Sequence, residues 1–156
     1  MAKDRKDIGK LDLQFLISKF LILMATITSF EELEIWKEAR RLYKKILDLI
    51  EREKVAKDFR FKNNLKEAAG SVMDNIAEGF ERDSRLEFVN ALSYSKGSTG
   101  EVRSQLFRGF ESEYWNESEL NELNEEYKNL ASHIANFIKY LNTNDQKGLK
   151  FKDRKS

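Results

Sequence analysis

The segment LNELNEEYKNLASHIANFIKYL, from Leu120 to Leu141, sets Leu120, Leu123, Tyr127, Leu130, Ile134, Phe137 and Leu141 at steps of three and four residues without exception. That spacing lines one side of an α-helix with apolar groups, because 3.6 residues complete a turn. The opposite side carries Glu122, Glu125, Glu126 and Lys128. A helix with one apolar stripe and one charged face buries the stripe only against other elements, so the rest of the chain must supply them.

Upstream, the same period recurs three times. Ile35, Ala39, Leu42, Ile46 and Leu49 form a seam, with Trp36, Tyr43 and Ile50 as a second row beside it. Leu65, Ala68, Ala69, Val72, Ile76 and Ala77 form another, whose small residues allow close helix approach. A third runs through Phe88, Leu92, Ser95, Thr99, Val102, Leu106 and Gly109. Proline is absent and the seven glycines are scattered, which favours long helices joined by short polar turns. The expectation is an all-α, up-down-up-down four-helix bundle.

Helix ends are read from their punctuation. Ser29 with Glu32 and Ser84 with Glu87 are S-x-x-E pairs, which cap the first and third helices. Asp58 to Lys62 reads as a charged connection between the first two helices, and Tyr114 to Ser118 as the turn before the last. Gly79 fits the position after a helix end, where positive φ is usual. Gly97 and Gly100 fall inside the third helix, and their cost there implies close packing against another helix.

Three parts follow: an N-terminal extension over residues 1–28, the bundle over 29–142, and a basic tail over 143–156 expected to be disordered. The extension has three readings. Lys19 splits its apolar run and no small-residue cleavage pattern follows, against a secretory leader. An amphipathic helix docked on the bundle is a second reading. The most economical is that Met24 is the natural start and the preceding residues lie upstream of it. No stretch reaches the roughly 20 clean apolar residues that span a bilayer, so a cytoplasmic protein without membrane contact is expected.

Composition removes several chemistries. With no cysteine, disulfides and thiolate metal sites are excluded. The single histidine, His133, has Leu130 three residues before it, so the Glu-x-x-His motif of carboxylate-bridged metal bundles is missing. Neither a G-x-S-x-G nucleophile motif nor a G-x-x-x-x-G-K phosphate loop occurs. The expectation is a non-enzymatic protein without cofactor or metal. Lysine and arginine number 28 against 27 acidic residues, a net charge of +1, so overall charge does not point to nucleic acid.

Two constellations remain. Lys37, Arg40, Arg41, Lys44 and Lys45 form a basic arc on the first helix, while the last helix is rich in glutamate. The arc suits phosphate contact, complementary contact between subunits, or a plain solvated face. Ser71, Asn75 and Glu78 make a polar stripe beside the second seam, with Gly79 next to it; Ser98 and Glu101 are its counterparts on the third helix. Glu78 sits where the helix dipole disfavours a carboxylate, so these residues are expected to hold helix contacts or a subunit interface. Phe107 and Phe110 widen the third helix beyond one seam, which implies burial between subunits.

At these residues the chain resembles a known family. Phe30-Glu31-Glu32-Leu33-Glu34-Ile35-Trp36 followed by Ala39, then Ala68-Ala69-Gly70-Ser71-Val72 with Asn75-Ile76-Ala77-Glu78-Gly79, are similar to the four-helix-bundle proteins encoded by intervening sequences in bacterial 23S ribosomal RNA genes. Ser84, Glu87, Phe88, Gly97, Ser98 and Glu101 continue the likeness, which runs from Phe30 to Leu141; Gly100 departs from it. The resemblance implies a left-handed bundle assembled as a homopentamer and no enzymatic activity. It also implies relatedness to the strongly basic accessory proteins of diversity-generating retroelements, whose overall basicity this chain lacks. An RNA or ribonucleoprotein partner is the resulting expectation, with a protein-interaction scaffold without nucleic acid as the alternative.

Overall fold

The computed structural model describes residues 15, 16, 18, 19 and 27–143. A 3-10 turn at Phe30–Glu32 leads into α1 (Glu34–Ile50), the short α2 (Glu53–Lys57), α3 (Phe59–Glu81), α4 (Arg85–Glu111) and α5 (Glu117–Thr143). No strand occurs among the described residues. Met24, most of the N-terminal extension and the tail after Thr143 lie outside them.

Each long helix packs on the next, and α5 returns to α1. Neighbours run antiparallel. Lys62 reaches Glu51 while Gly70 faces Tyr43, which aligns α3 against α1. Gln105 donates to the Asn64 carbonyl and Ser95 to that of Val72, aligning α4 against α3. Arg103 donates to Asn124 and Arg85 to the Leu141 carbonyl, aligning α5 against α4. A single apolar cluster fills the centre, and all seven seam positions read in Leu120–Leu141 are buried in it. The seam of α4 is buried as read, polar Ser95 and Thr99 included, and Gln105 joins it.

Helix ends depart from the sequence reading in informative ways. Ser29 makes no side-chain cap and introduces only the 3-10 turn; the Glu32 carboxylate instead accepts from the Thr28 hydroxyl at 3.0 Å. The connection expected at Asp58–Lys62 is helical from Phe59 onward, because Asp58 Oδ1 accepts from the Phe61 N–H at 3.0 Å and caps α3. Phe61 then begins the period that Leu65 and Ala68 continue, and all three are buried. Ser84 accepts from the Glu87 N–H, but the Glu87 carboxylate turns to Arg82 rather than back to the cap. The reciprocal capping box forms elsewhere. Asn116 Oδ1 accepts from the Glu119 N–H at 2.9 Å, and Glu119 accepts from the Asn116 N–H at 3.1 Å, opening α5.

Gly79 does not end its helix. It lies inside α3, and no glycine among the described residues has positive φ. The left-handed turns fall on Asp83 (φ 54°) and Glu113 (φ 57°) instead. After α4, the Tyr114 N–H donates to the Gly109 carbonyl and the Glu113 N–H to that of Phe110, the paired bonds of a Schellman motif with glutamate in the usual glycine place. Gly79 is needed for proximity: a Cβ there would lie 2.5 Å from Ala91 Cβ. Gly97 and Gly100 are the reverse. A Cβ at either would meet nothing within 4 Å, so the close contact expected of them is not made among the described residues.

Candidate functional site

The basic arc of α1 faces the acidic helix of the same chain. Arg41 pairs with Glu126 at 2.5 Å, and Lys45 bridges Glu122 at 2.7 Å and Glu126 at 2.6 Å. Arg52 extends the seam to Glu119 at 2.6 Å. At the other end His133 Nδ1 and Glu38 Oε2 lie 2.8 Å apart, with the imidazole mostly exposed. Lys37 pairs one turn back with Glu34 at 2.7 Å. The complementary charge visible in the sequence is therefore largely satisfied between α1 and α5. Arg40, whose guanidinium lies over the Trp36 ring, and Lys44 are exposed and have no carboxylate at ion-pair distance among the described residues.

This seam gives a pH dependence. Burial alone would raise the Glu126 carboxyl, but the hydrogen bonds from Lys45 and Arg41 outweigh it and hold the group below its ordinary value. Arg52, then the Asn116 N–H, lowers Glu119 in the same sense. A carboxyl with a lowered folded pKa contributes stability that is complete above its unfolded value, near 4.5 here, and is lost as pH falls through the folded one. Urea unfolding at stepped pH is expected to show stability declining below about pH 4.5. The decline should be shallower in a Glu119→Gln/Glu126→Gln variant; equal slopes would refute the assignment.

Ser71, Asn75 and Ser98 come together between α3 and α4. Ser98 donates to the Tyr94 carbonyl at 3.2 Å, which leaves Ser71 to donate to Ser98 across 2.9 Å. Asn75 Nδ2 donates to the Ser71 hydroxyl at 3.0 Å and to its carbonyl at 2.8 Å. With Ser95 and Gln105 these groups stitch the two helices along their length. Glu78 stands apart from them: it is exposed and accepts from Arg82, which also reaches Glu87. Glu101 is exposed too, with a long 3.5 Å bond from Gln105. The polar stripe is thus a short cross-helix lock with two surface carboxylates at separate places.

The outward side of α4 is apolar and small at once. Leu86 is 61% exposed, Tyr94 71% and Phe107 46%, and the bare backbone of Gly97 and Gly100 lies on the same side of the helix. Phe110, paired with Phe107 in the sequence reading, turns partly into the core. No cluster of three metal-ligating side chains exists among the described residues, and none of their helices is long and apolar enough to cross a membrane.

Sequence reading passed over two structural features. Trp115 is buried in a notch of α4, its indole N–H donating to the Leu106 carbonyl at 2.9 Å, and Gly109 forms the floor of that notch. Tyr114 donates to Asp58 Oδ2 at 2.7 Å and ties the end of α4 to the start of α3. The Phe61 N–H, followed by the Tyr114 hydroxyl, holds the Asp58 carboxyl below its usual value.

An all-helical chain with these seams matches a family model directly. Residues 31–136 match the 23S rRNA-intervening sequence protein family, and the chain belongs to that family. In fold it is similar to a crystal structure, at 1.70 Å, of a protein with unknown function from the S23 ribosomal protein family of Bacteroides thetaiotaomicron VPI-5482. That likeness has a TM-score of 0.62 at 18% identity and covers 67% of this chain and 98% of the other. No curated protein matches the chain.

Proposed function

We propose that this chain is a non-enzymatic, self-assembling helical protein: an up-down-up-down, left-handed four-helix bundle that forms a homopentamer and engages RNA or a ribonucleoprotein. The observation that carries the reading is the outward side of α4. Exposed Leu86, Tyr94 and Phe107 give apolar area to bury, and Gly97 and Gly100 let a second helix backbone come close. Glycine inside an exposed helix costs up to about 1 kcal/mol relative to alanine, which a lone chain does not recover. The family's association with ribosomal RNA genes supports an RNA partner, and exposed Arg40 and Lys44 are cations within the basic arc that remain free to meet phosphate.

The test uses opposite signs. In a lone chain, Gly97→Ala/Gly100→Ala raises thermal stability by helix propensity alone; in an assembly built on these glycines, the added methyls push the helices apart. Light scattering is expected to show an oligomer for the wild type that dissociates at higher concentrations in the variant, while circular dichroism stays helical. A wild type that is monomeric at every concentration, or a variant that assembles equally well, rejects the proposal.

RNA affinity should fall steeply with salt. The paired cations of α1 favour a second reading, a protein-interaction scaffold with no nucleic-acid role. A partner that co-purifies unchanged after nuclease treatment would establish it.

A further inference from the structure

Where α3 begins and α4 ends, the two helices border a cleft of about 440 Å³ lined by Asp58, Arg60, Phe61, Asn64, Arg108 and Ser112. Arg60 and Arg108 have no carboxylate at ion-pair distance among the described residues, unlike Arg41, Lys45 and Arg52. The Arg108 guanidinium lies over the Phe61 ring at 5.9 Å from its centre, which leaves its edge N–H groups free to donate. Asp58 is the one carboxylate in the lining, and both its oxygens are engaged, by the Phe61 N–H and the Tyr114 hydroxyl. The cleft therefore sets two guanidinium charges against one immobilised carboxylate. Phe59, next to Arg60 in the first turn of α3, leaves its ring 74% exposed.

We infer that this cleft binds a backbone phosphate of single-stranded RNA, with Arg60 and Arg108 as the phosphate clamp and Phe59 as a stacking surface for an adjacent base. Phe59 lies outside the cleft lining, about 100° round α3 from Arg60, where it offers a surface to a neighbouring base rather than to the clamped nucleotide. Guanidinium groups and an exposed aromatic ring together are the chemistry that holds single strands without reading their sequence. Arg108 lies eleven residues, about 16 Å along α4, beyond Gly97 on the same side of the helix, so the clamp sits at the end of the face assigned to self-assembly and the oligomer size of each variant is measured beside its affinity. The inference rests on the RNA-binding reading proposed above and gives it a location other than the compensated arc of α1.

The test is fluorescence anisotropy of a labelled oligouridylate with the full chain at low salt. Arg60→Ala/Arg108→Ala is expected to weaken binding by about tenfold or more and to reduce the salt slope by about 0.7, the share of the one clamped single-strand phosphate. Arg60→Lys/Arg108→Lys should keep most of the slope. Since Arg108 also covers Phe61, Arg60→Ala alone serves as the variant without a packing role, and a several-fold loss is expected from it. Arg40→Ala/Lys44→Ala should lose less than the cleft variant. Wild-type protein that binds no oligonucleotide overturns the RNA reading and the cleft with it. Binding that is unchanged in both cleft variants overturns the cleft alone. Inorganic phosphate bound as tightly as the oligonucleotide overturns the assignment to a polynucleotide.

Discussion

Gly109→Ala is expected to destabilise the protein by about 3 kcal/mol, at the upper end of what overpacking a core costs. A Cβ on residue 109 would lie 1.9 Å from Trp115 Cζ2 and 2.2 Å from Cη2, so the indole must leave its notch. Leaving breaks the indole N–H bond to the Leu106 carbonyl and disturbs the Phe61 ring, whose centre lies 5.9 Å from that of Trp115. The helix propensity gained by alanine, up to about 1 kcal/mol, does not offset this. In a chain of this size the melting temperature should fall by roughly 10 °C. A double-mutant cycle with Trp115→Phe isolates the cause, since the smaller ring vacates the clashing atoms. The two substitutions together should cost at least about 1 kcal/mol less than their sum. Strict additivity, or a Gly109→Ala protein as stable as wild type, would show that the notch does not need glycine.

The second large effect belongs to Gly79→Ala, expected at about 2 kcal/mol. The added carbon would meet Ala91 Cβ at 2.5 Å, Phe88 Cδ2 at 2.9 Å and Phe88 Cα at 3.3 Å. Because part of that wall is backbone, α3 and α4 must separate rather than a side chain turn aside. Phe88 is wholly buried, with edge-on ring contacts to Phe80 and Phe137, so the separation spreads to three aromatic residues. Ala91→Gly in the same chain removes the nearest contact and should recover about half the loss in chemical unfolding. No recovery would place the strain on Phe88 alone.

These two glycines show where a sequence stops being informative. The seam of α5 was legible residue by residue because a repeat of three and four is a local property that core burial simply obeys. A glycine's use depends on what stands opposite it in space. Gly79 carries the same local signal as a helix terminator, yet α3 runs on to Glu81 because Phe80 continues the buried seam. Gly97 and Gly100 look like packing glycines, but α4 turns them outward. Charge behaved likewise. The basic arc and the acidic helix were both plain, but their pairing depends on the register of helices some eighty residues apart, which no local pattern encodes. The start of α3 was within reach: Phe61, Leu65 and Ala68 extend the seam backwards, and the charges of Asp58, Arg60 and Lys62 masked it. The convergence of Arg60 with Arg108 appears only once the two helices lie side by side.

The α1–α5 ion pairs also settle a matter of layout. Glu38 meets His133 while Arg52 meets Glu119, so the first long helix opens where the last one finishes. The start of α1 and the end of α5 therefore lie together, roughly 30–40 Å from the Arg60–Arg108 cleft. A circular permutation that joins them and cuts elsewhere would keep every helix and every neighbour.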